Sequence, residues 1–111
     1  MSQDLDQHLP AIQLGDEAAF GRWMSAVEPR LRGSLRTFGA TVDIEATLQE
    51  AFLQVWQVAP KFQPDGKPNA LLRFAFRCAR NLAISEIRRL RTHSADTHEL
   101  ERGLAQGGEV G

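Results

Sequence analysis

The chain has 111 residues, 42% hydrophobic and 24% charged, with 13 basic side chains against 14 acidic ones and a net charge of −1. That balance suits one soluble globular domain and excludes collagen-like, low-complexity and disulfide-stapled chains. No apolar run approaches the roughly 20 residues that span a bilayer, the acidic start Met-Ser-Gln-Asp-Leu-Asp is not a secretory signal, and the lone Cys78 points to a reducing cytosol.

Leu5, Leu9 and Ile12 are the apolar positions of a short first helix over residues 4–14, with Gly15 as its stop. Pro10 either starts that helix or kinks it. Asp16 is a good N-cap for a second helix opening Glu17-Ala-Ala-Phe20, with acidic groups at the positive end of the dipole. Phe20, Trp23, Met24 and Val27 recur at core spacing. Pro29 is expected to kink or restart the helix, after which Leu31, Leu35 and Phe38 lead to Gly39. Ala40-Thr41-Val42 is a connector. Asp43 caps a third helix to about Val58, stopped by Pro60. Its apolar side is Ile44, Leu48, Ala51, Phe52, Val55 and Trp56; its other side is Ala46, Gln49, Glu50, Leu53 and Gln57. Leu53, set among amides and an acid, is either ordinary surface or the centre of a face on which another helix docks.

Pro60, Pro64 and Pro68 forbid a helix in the next segment, and Asp65-Gly66 marks a turn. Phe62 lies between Lys61 and Lys67. It either stacks on a base of single-stranded nucleic acid or packs back onto the core. Pro68 or Asn69 then starts a long helix, Asn69 by capping it. At about 100° per residue, Arg73, Arg77, Arg80, Arg88 and Arg91 share a sector roughly 80° wide, with only Arg89 outside it. Leu71, Leu72, Ala75, Cys78, Ala79, Leu82 and Leu90 lie opposite. Six Arg against one Glu (Glu86) concentrate positive charge in a chain that is nearly neutral overall. A solvated face would mix in Glu at helix-supporting spacing, and this stripe has none. It also uses Arg throughout, which suits forked contacts to phosphate and stacking on bases. Ile84 interrupts it.

Beyond Arg91 the sequence turns polar and then Gly-rich, with one short helical turn around residues 99–104. No strand pattern and no internal repeat is present. The expected architecture is therefore all-α, a compact bundle of four to five helices over residues 1–91, with 92–111 a polar linker or tail. His8, His93 and His98 have no metal-ligand spacing with one another or with Cys78. With no Gly-rich phosphate loop and no nucleophile–His–carboxylate set, no enzyme, cofactor, metal or small-molecule substrate is expected.

Four stretches in order carry a resemblance: Gly15-Asp-Glu-Ala-Ala-Phe20, Asp43-Ile-Glu-Ala-Thr-Leu-Gln-Glu-Ala-Phe-Leu-Gln-Val-Trp56, Lys61-Phe62 and Ala79-Arg-Asn-Leu-Ala-Ile-Ser-Glu-Ile-Arg-Arg89. Over roughly residues 8–91 the chain resembles the promoter-melting domain, conserved region 2, of bacterial sigma factors, above all the extracytoplasmic-function (ECF) group. The resemblance implies a cytoplasmic transcription initiation module that binds the RNA polymerase core at the β′ clamp helices and recognises and melts the promoter −10 element. It places Gln49, Glu50, Leu53, Gln54 and Gln57 against polymerase. It places Lys61, Phe62, Lys67, Asn69, Arg73, Arg77, Arg80, Asn81 and Arg88 against the non-template strand of promoter DNA, with the loop around 61–69 forming a pocket for a flipped base. An anti-sigma factor is a possible further partner in this family.

The sequence departs from the family pattern at Ala46-Thr47, where Asp-Leu is usual, and at Phe74, Phe76 and Ser85, where Trp, Tyr and Asp are common. The family's second domain, a helix-turn-helix, is not within this sequence. The expectation is either one domain of a longer protein, with the tail as its interdomain linker, or a lone melting-type domain whose partner supplies the upstream contacts. The alternative function is a sigma-like interaction module that binds an anti-sigma factor or polymerase without reading DNA.

Overall fold

Capping carboxylates divide the chain into its elements. In the computed structural model, which describes residues 4–94, these are α1 (Leu9–Gln13), α2 (Glu17–Arg36), α3 (Ile44–Val58) and α4 (Ala70–Ser94). Single 3₁₀ turns occupy Leu5–His8, Gly39–Thr41 and Ala59–Lys61, and the described residues contain no strand. Asp16 Oδ1 accepts the Ala19 N–H at 3.1 Å and Asp43 Oδ1 accepts the Ala46 N–H at 3.1 Å, each answering an amide with no partner inside its helix. Gly15 ends α1 at φ +89°, a left-handed conformation that side chains other than glycine adopt at a cost.

Two helical boundaries differ from expectation. The first segment is a 3₁₀ turn followed by a helix that begins at Leu9, with Pro10 in the first turn, where its missing N–H is no loss. α2 runs through Pro29 without restarting. Ser25, whose carbonyl loses its partner there, and Pro29 itself are both exposed, so water can take the freed acceptor.

The start of α4 corrects the capping expected of Asn69. Asp6, 64 and 65 positions upstream, accepts the Ala70 N–H at 2.7 Å and the Leu71 N–H at 3.1 Å. Asn69 adopts φ 57° and turns its Oδ1 to the Leu5 N–H at 2.7 Å, while its own N–H donates to Asp4 at 3.0 Å. The Asn69 N–H, and after it the Asp6 N–H at 3.0 Å, hold the Asp4 carboxyl below its ordinary range. Asp6→Ala leaves two helical amides without their acceptor and is expected to cost about 1–2 kcal/mol. For a domain of this size that lowers the thermal midpoint by about 5–15 °C in a circular-dichroism melt, while Asp6→Asn, which keeps one acceptor, loses less.

The core lies among α2, α3 and α4. Trp23, Val27, Leu31 and Leu35 form the fully buried stripe of α2, and Ala51 and Val55 that of α3. The buried face of α4 is built on Ala75, Ala79 and Ala83, small residues at i, i+4 and i+8 that let the helix axes approach closely. Thr47 is the one buried polar residue among the described ones; its hydroxyl donates to the Asp43 carbonyl at 2.8 Å, so its burial leaves nothing unsatisfied. Arg32 ties the end of α2 to the start of α3 by pairing with both Glu28 and Glu45. Cys78 is buried, and burial pushes its thiol pKa up, against a smaller opposing effect of Arg77. Leu90, assigned by periodicity to the apolar face, is 37% exposed. α4 continues to Ser94, and residues 95–111, including the turn expected around 99–104, lie outside the described residues.

Candidate nucleic-acid interface

The proline-rich loop from Ala59 to Asn69 has little regular structure of its own, yet it is tied down at several points. At its start, Gln13 Nε2 donates to the Ala59 carbonyl at 3.1 Å and to the Phe62 carbonyl at 2.8 Å. In its middle, the Lys67 N–H donates to Asp65 at 3.0 Å, and the Arg73 guanidinium grips the same carboxylate with a fork of 2.8 and 2.9 Å bonds. Arg73 also donates to the carbonyls of Lys67 and Pro68, each at 3.1 Å. This fork is the principal reason that the Asp65 carboxyl lies well below the usual carboxylate range and the Arg73 guanidinium is raised. The Asp65 pKa is depressed in the folded chain. Its pairing therefore contributes stability above the ordinary carboxylate value of about 3.9 and loses it as pH falls through the folded value.

Between this loop and α4 lies a cleft of about 180 Å³ lined by Phe62, Gln63, Asp65, Ala70, Arg73, Phe74 and Arg77. The rings of Phe62 and Phe74 meet with centroids 5.4 Å apart. Phe62 is half-buried against the core, as one of its two sequence readings expected, and it also lines the cleft.

The arginine stripe is divided. Arg73, placed by periodicity among the outward-facing cations, turns its side chain back to the loop because Asp65 lies within reach. Arg77 and Arg80 are exposed and form no ion pair among the described residues. Half-buried Ile84 separates them from exposed Arg88 and Arg91, about 12 Å further along between Arg80 and Arg88 at 1.5 Å per residue. Arg89, outside the stripe, pairs with Glu86. Asn81, Lys61 and Lys67 are exposed, while Asn69 is half-buried and its Oδ1 is engaged by Leu5.

On α3, Gln49, Glu50, Leu53 and Gln57 are exposed and Gln54 is half-buried. Leu53 borders an open groove of about 390 Å³ between α2 and α3, whose apolar floor is Phe20, Met24, Phe52 and Trp56 and whose polar members are Glu17 and Gln49. The structure thus places the two candidate surfaces on different helices. The DNA candidates Lys61, Phe62, Lys67, Arg73 and Arg77 gather at the loop and the first turns of α4.

Sequence reasoning missed Asp65 as a charge partner, reading it only as a turn former, and missed Gln13 altogether. Asp65 lies eight positions before Arg73, and Gln13 lies 46 and 49 positions before its acceptors, so neither pairing leaves a periodic trace.

The bundle thus presents a cationic helix face beside an aromatic cleft and, separately, an apolar groove bordered by Glu17 and Gln49. The model of the sigma-70 region 2 family matches residues 19–93, and the chain belongs to that family. No curated protein and no solved structure matches it. Membership carries the sigma-factor role of binding RNA polymerase core and recognising promoter DNA. No helix among the described residues is long and apolar enough to cross a membrane, and no group of His, Cys, Asp or Glu there is arranged to hold a metal ion.

Proposed function

We propose that the chain is an ECF-type promoter-melting module without catalytic chemistry of its own. It docks on the β′ clamp helices of polymerase through Gln49, Glu50, Leu53, Gln54 and Gln57. It carries the non-template strand of the −10 element along α4, with Arg77, Arg80, Asn81 and Arg88 facing the strand. One unstacked base enters the cleft between Phe62 and Phe74. Arg73 braces the cleft wall through Asp65, and Lys61 and Lys67 flank the loop. The observation that carries this reading is the juxtaposition of Arg77 with the two rings at the cleft, with Arg80 exposed one turn further along. Charge holds the backbone, and an aromatic pocket compensates the few kcal/mol, in order of magnitude, of unstacking a base.

The double variant Arg77→Ala/Arg80→Ala tests it. Binding of a fluorescent −10 single strand is expected to weaken about tenfold or more at low salt. The slope of log affinity against log salt should flatten by about 1.4, two phosphate contacts at about 0.7 each. An unchanged slope would remove these arginines from the interface. Polymerase binding by the wild type with no strand affinity even at low salt would mark an interaction module that does not read DNA.

A further inference from the structure

We infer that Gln13, on the last turn of α1, is a positioning residue for the base cleft; this rests on the proposed reading of that cleft as a base site. Both N–H groups of its amide are used, one on the Ala59 carbonyl and one on the Phe62 carbonyl. Those two carbonyls bracket the 3₁₀ turn Ala59–Lys61, which is itself closed by the Phe62 N–H donating to Ala59 at 3.0 Å. Pro60 and Pro64 remove backbone donors on either side of Phe62, so this part of the loop has few bonds of its own with which to fix the ring. A forked amide from another helix supplies the missing constraint. It sets where the Phe62 backbone stands, hence how far its ring lies from Phe74 and how wide the cleft opens.

The constraint is separable from the rest of the loop. The far end is held by Asp4, Leu5 and Asp6 on residues 69–71, and the middle by Arg73 on Asp65. Loss of the Gln13 bonds therefore releases Phe62 while the cationic face of α4 stays in place. The result is a specific signature: base-dependent affinity falls and phosphate-dependent affinity does not.

The test uses the full chain and three short single strands: oligo(dT), oligo(dA) and an abasic strand of the same length. The wild type is expected to bind the better base-bearing strand about tenfold tighter than the abasic one, the contribution of one stacked base. Gln13→Glu keeps the side-chain shape but offers carbonyls a carboxylate instead of a donor. It is expected to bring that ratio to within about threefold, leaving abasic affinity and the salt slope unchanged. Gln13→Lys, which restores a donor, is expected to retain the ratio, and it serves as the deciding variant if Gln13→Glu does not fold by circular dichroism. A wild-type ratio kept in Gln13→Glu, an equal weakening on both strands, or a folded Gln13→Lys that loses the ratio would each overturn the positioning role alone. A wild type that binds abasic and base-bearing strands equally would instead overturn the base-cleft reading beneath it.

Discussion

Leu53→Asp is expected to abolish measurable association with RNA polymerase core while leaving the helical spectrum unchanged. Leu53 is 49% exposed and stands over the groove formed by Phe20, Met24, Phe52 and Trp56. An apolar side chain so placed becomes fully dehydrated when a partner helix seats on it. An aspartate at the same point must either lose its water without a cation to meet it or hold the partner away. The cost at the interface is about 3 kcal/mol or more, which raises the dissociation constant at least about 100-fold. The folded chain pays little, because the site is half-exposed and the loss of helix propensity is about 0.5 kcal/mol. Titration of labelled chain with polymerase core, beside a thermal melt, separates the two effects. Association at wild-type affinity would take the α3 face out of the interface.

Trp23→Ala is expected to cost about 3–5 kcal/mol in urea denaturation, a large share of the roughly 5–15 kcal/mol that holds an ordinary domain folded. Trp23 is 0% exposed, stacks on Phe20 with centroids 5.6 Å apart, and meets the edge of Phe52 at 6.1 Å. Phe20 in turn meets Trp56 at 4.9 Å. Truncation removes the support under Phe20 and Phe52, two of the rings that shape the groove between α2 and α3, so stability and the docking proposed there are expected to fall together. Trp23→Phe discriminates between losing the ring and losing its N–H. The indole Nε1 is buried with no hydrogen-bond partner among the described residues. Deleting that unsatisfied donor offsets part of the smaller cavity left by phenylalanine, and the expected cost is about 1 kcal/mol or less. A Trp23→Phe penalty as large as that of Trp23→Ala would mean that the indole nitrogen has a partner in solution.

Periodicity alone carried much of the fold. The stripe Trp23, Val27, Leu31 and Leu35, the caps Asp16 and Asp43, and the stop at Gly15 are local features, written within a few residues of where they act. The region-2 motifs were equally legible, since each is a contiguous stretch; three of the four lie within the span that the family model matches, and the first overlaps its start. The exposed face of α3 could be read the same way, because a helix displays its solvent side at fixed angular spacing.

The interior of the candidate site was less legible. Arg73 and Arg77 are indistinguishable on a helical wheel, yet one grips Asp65 and the other remains exposed at the cleft. The wheel gives an angle about one axis and says nothing of a loop that folds back against it. Likewise the cap of α4 was sought next door in Asn69 and comes from Asp6.

The amino-acid order by itself determined that the chain is helical, that Asp16 and Asp43 start two of its helices, which faces of α2 and α3 are buried, and that cationic charge collects on the last helix. Those properties depend on backbone geometry and neighbours a few positions apart. Only the tertiary structure decided which arginine braces the loop, which acid caps α4 and which amide holds Phe62. Each of those is a hydrogen bond or ion pair that acts over about 3 Å, and packing alone brings its two groups together across the chain.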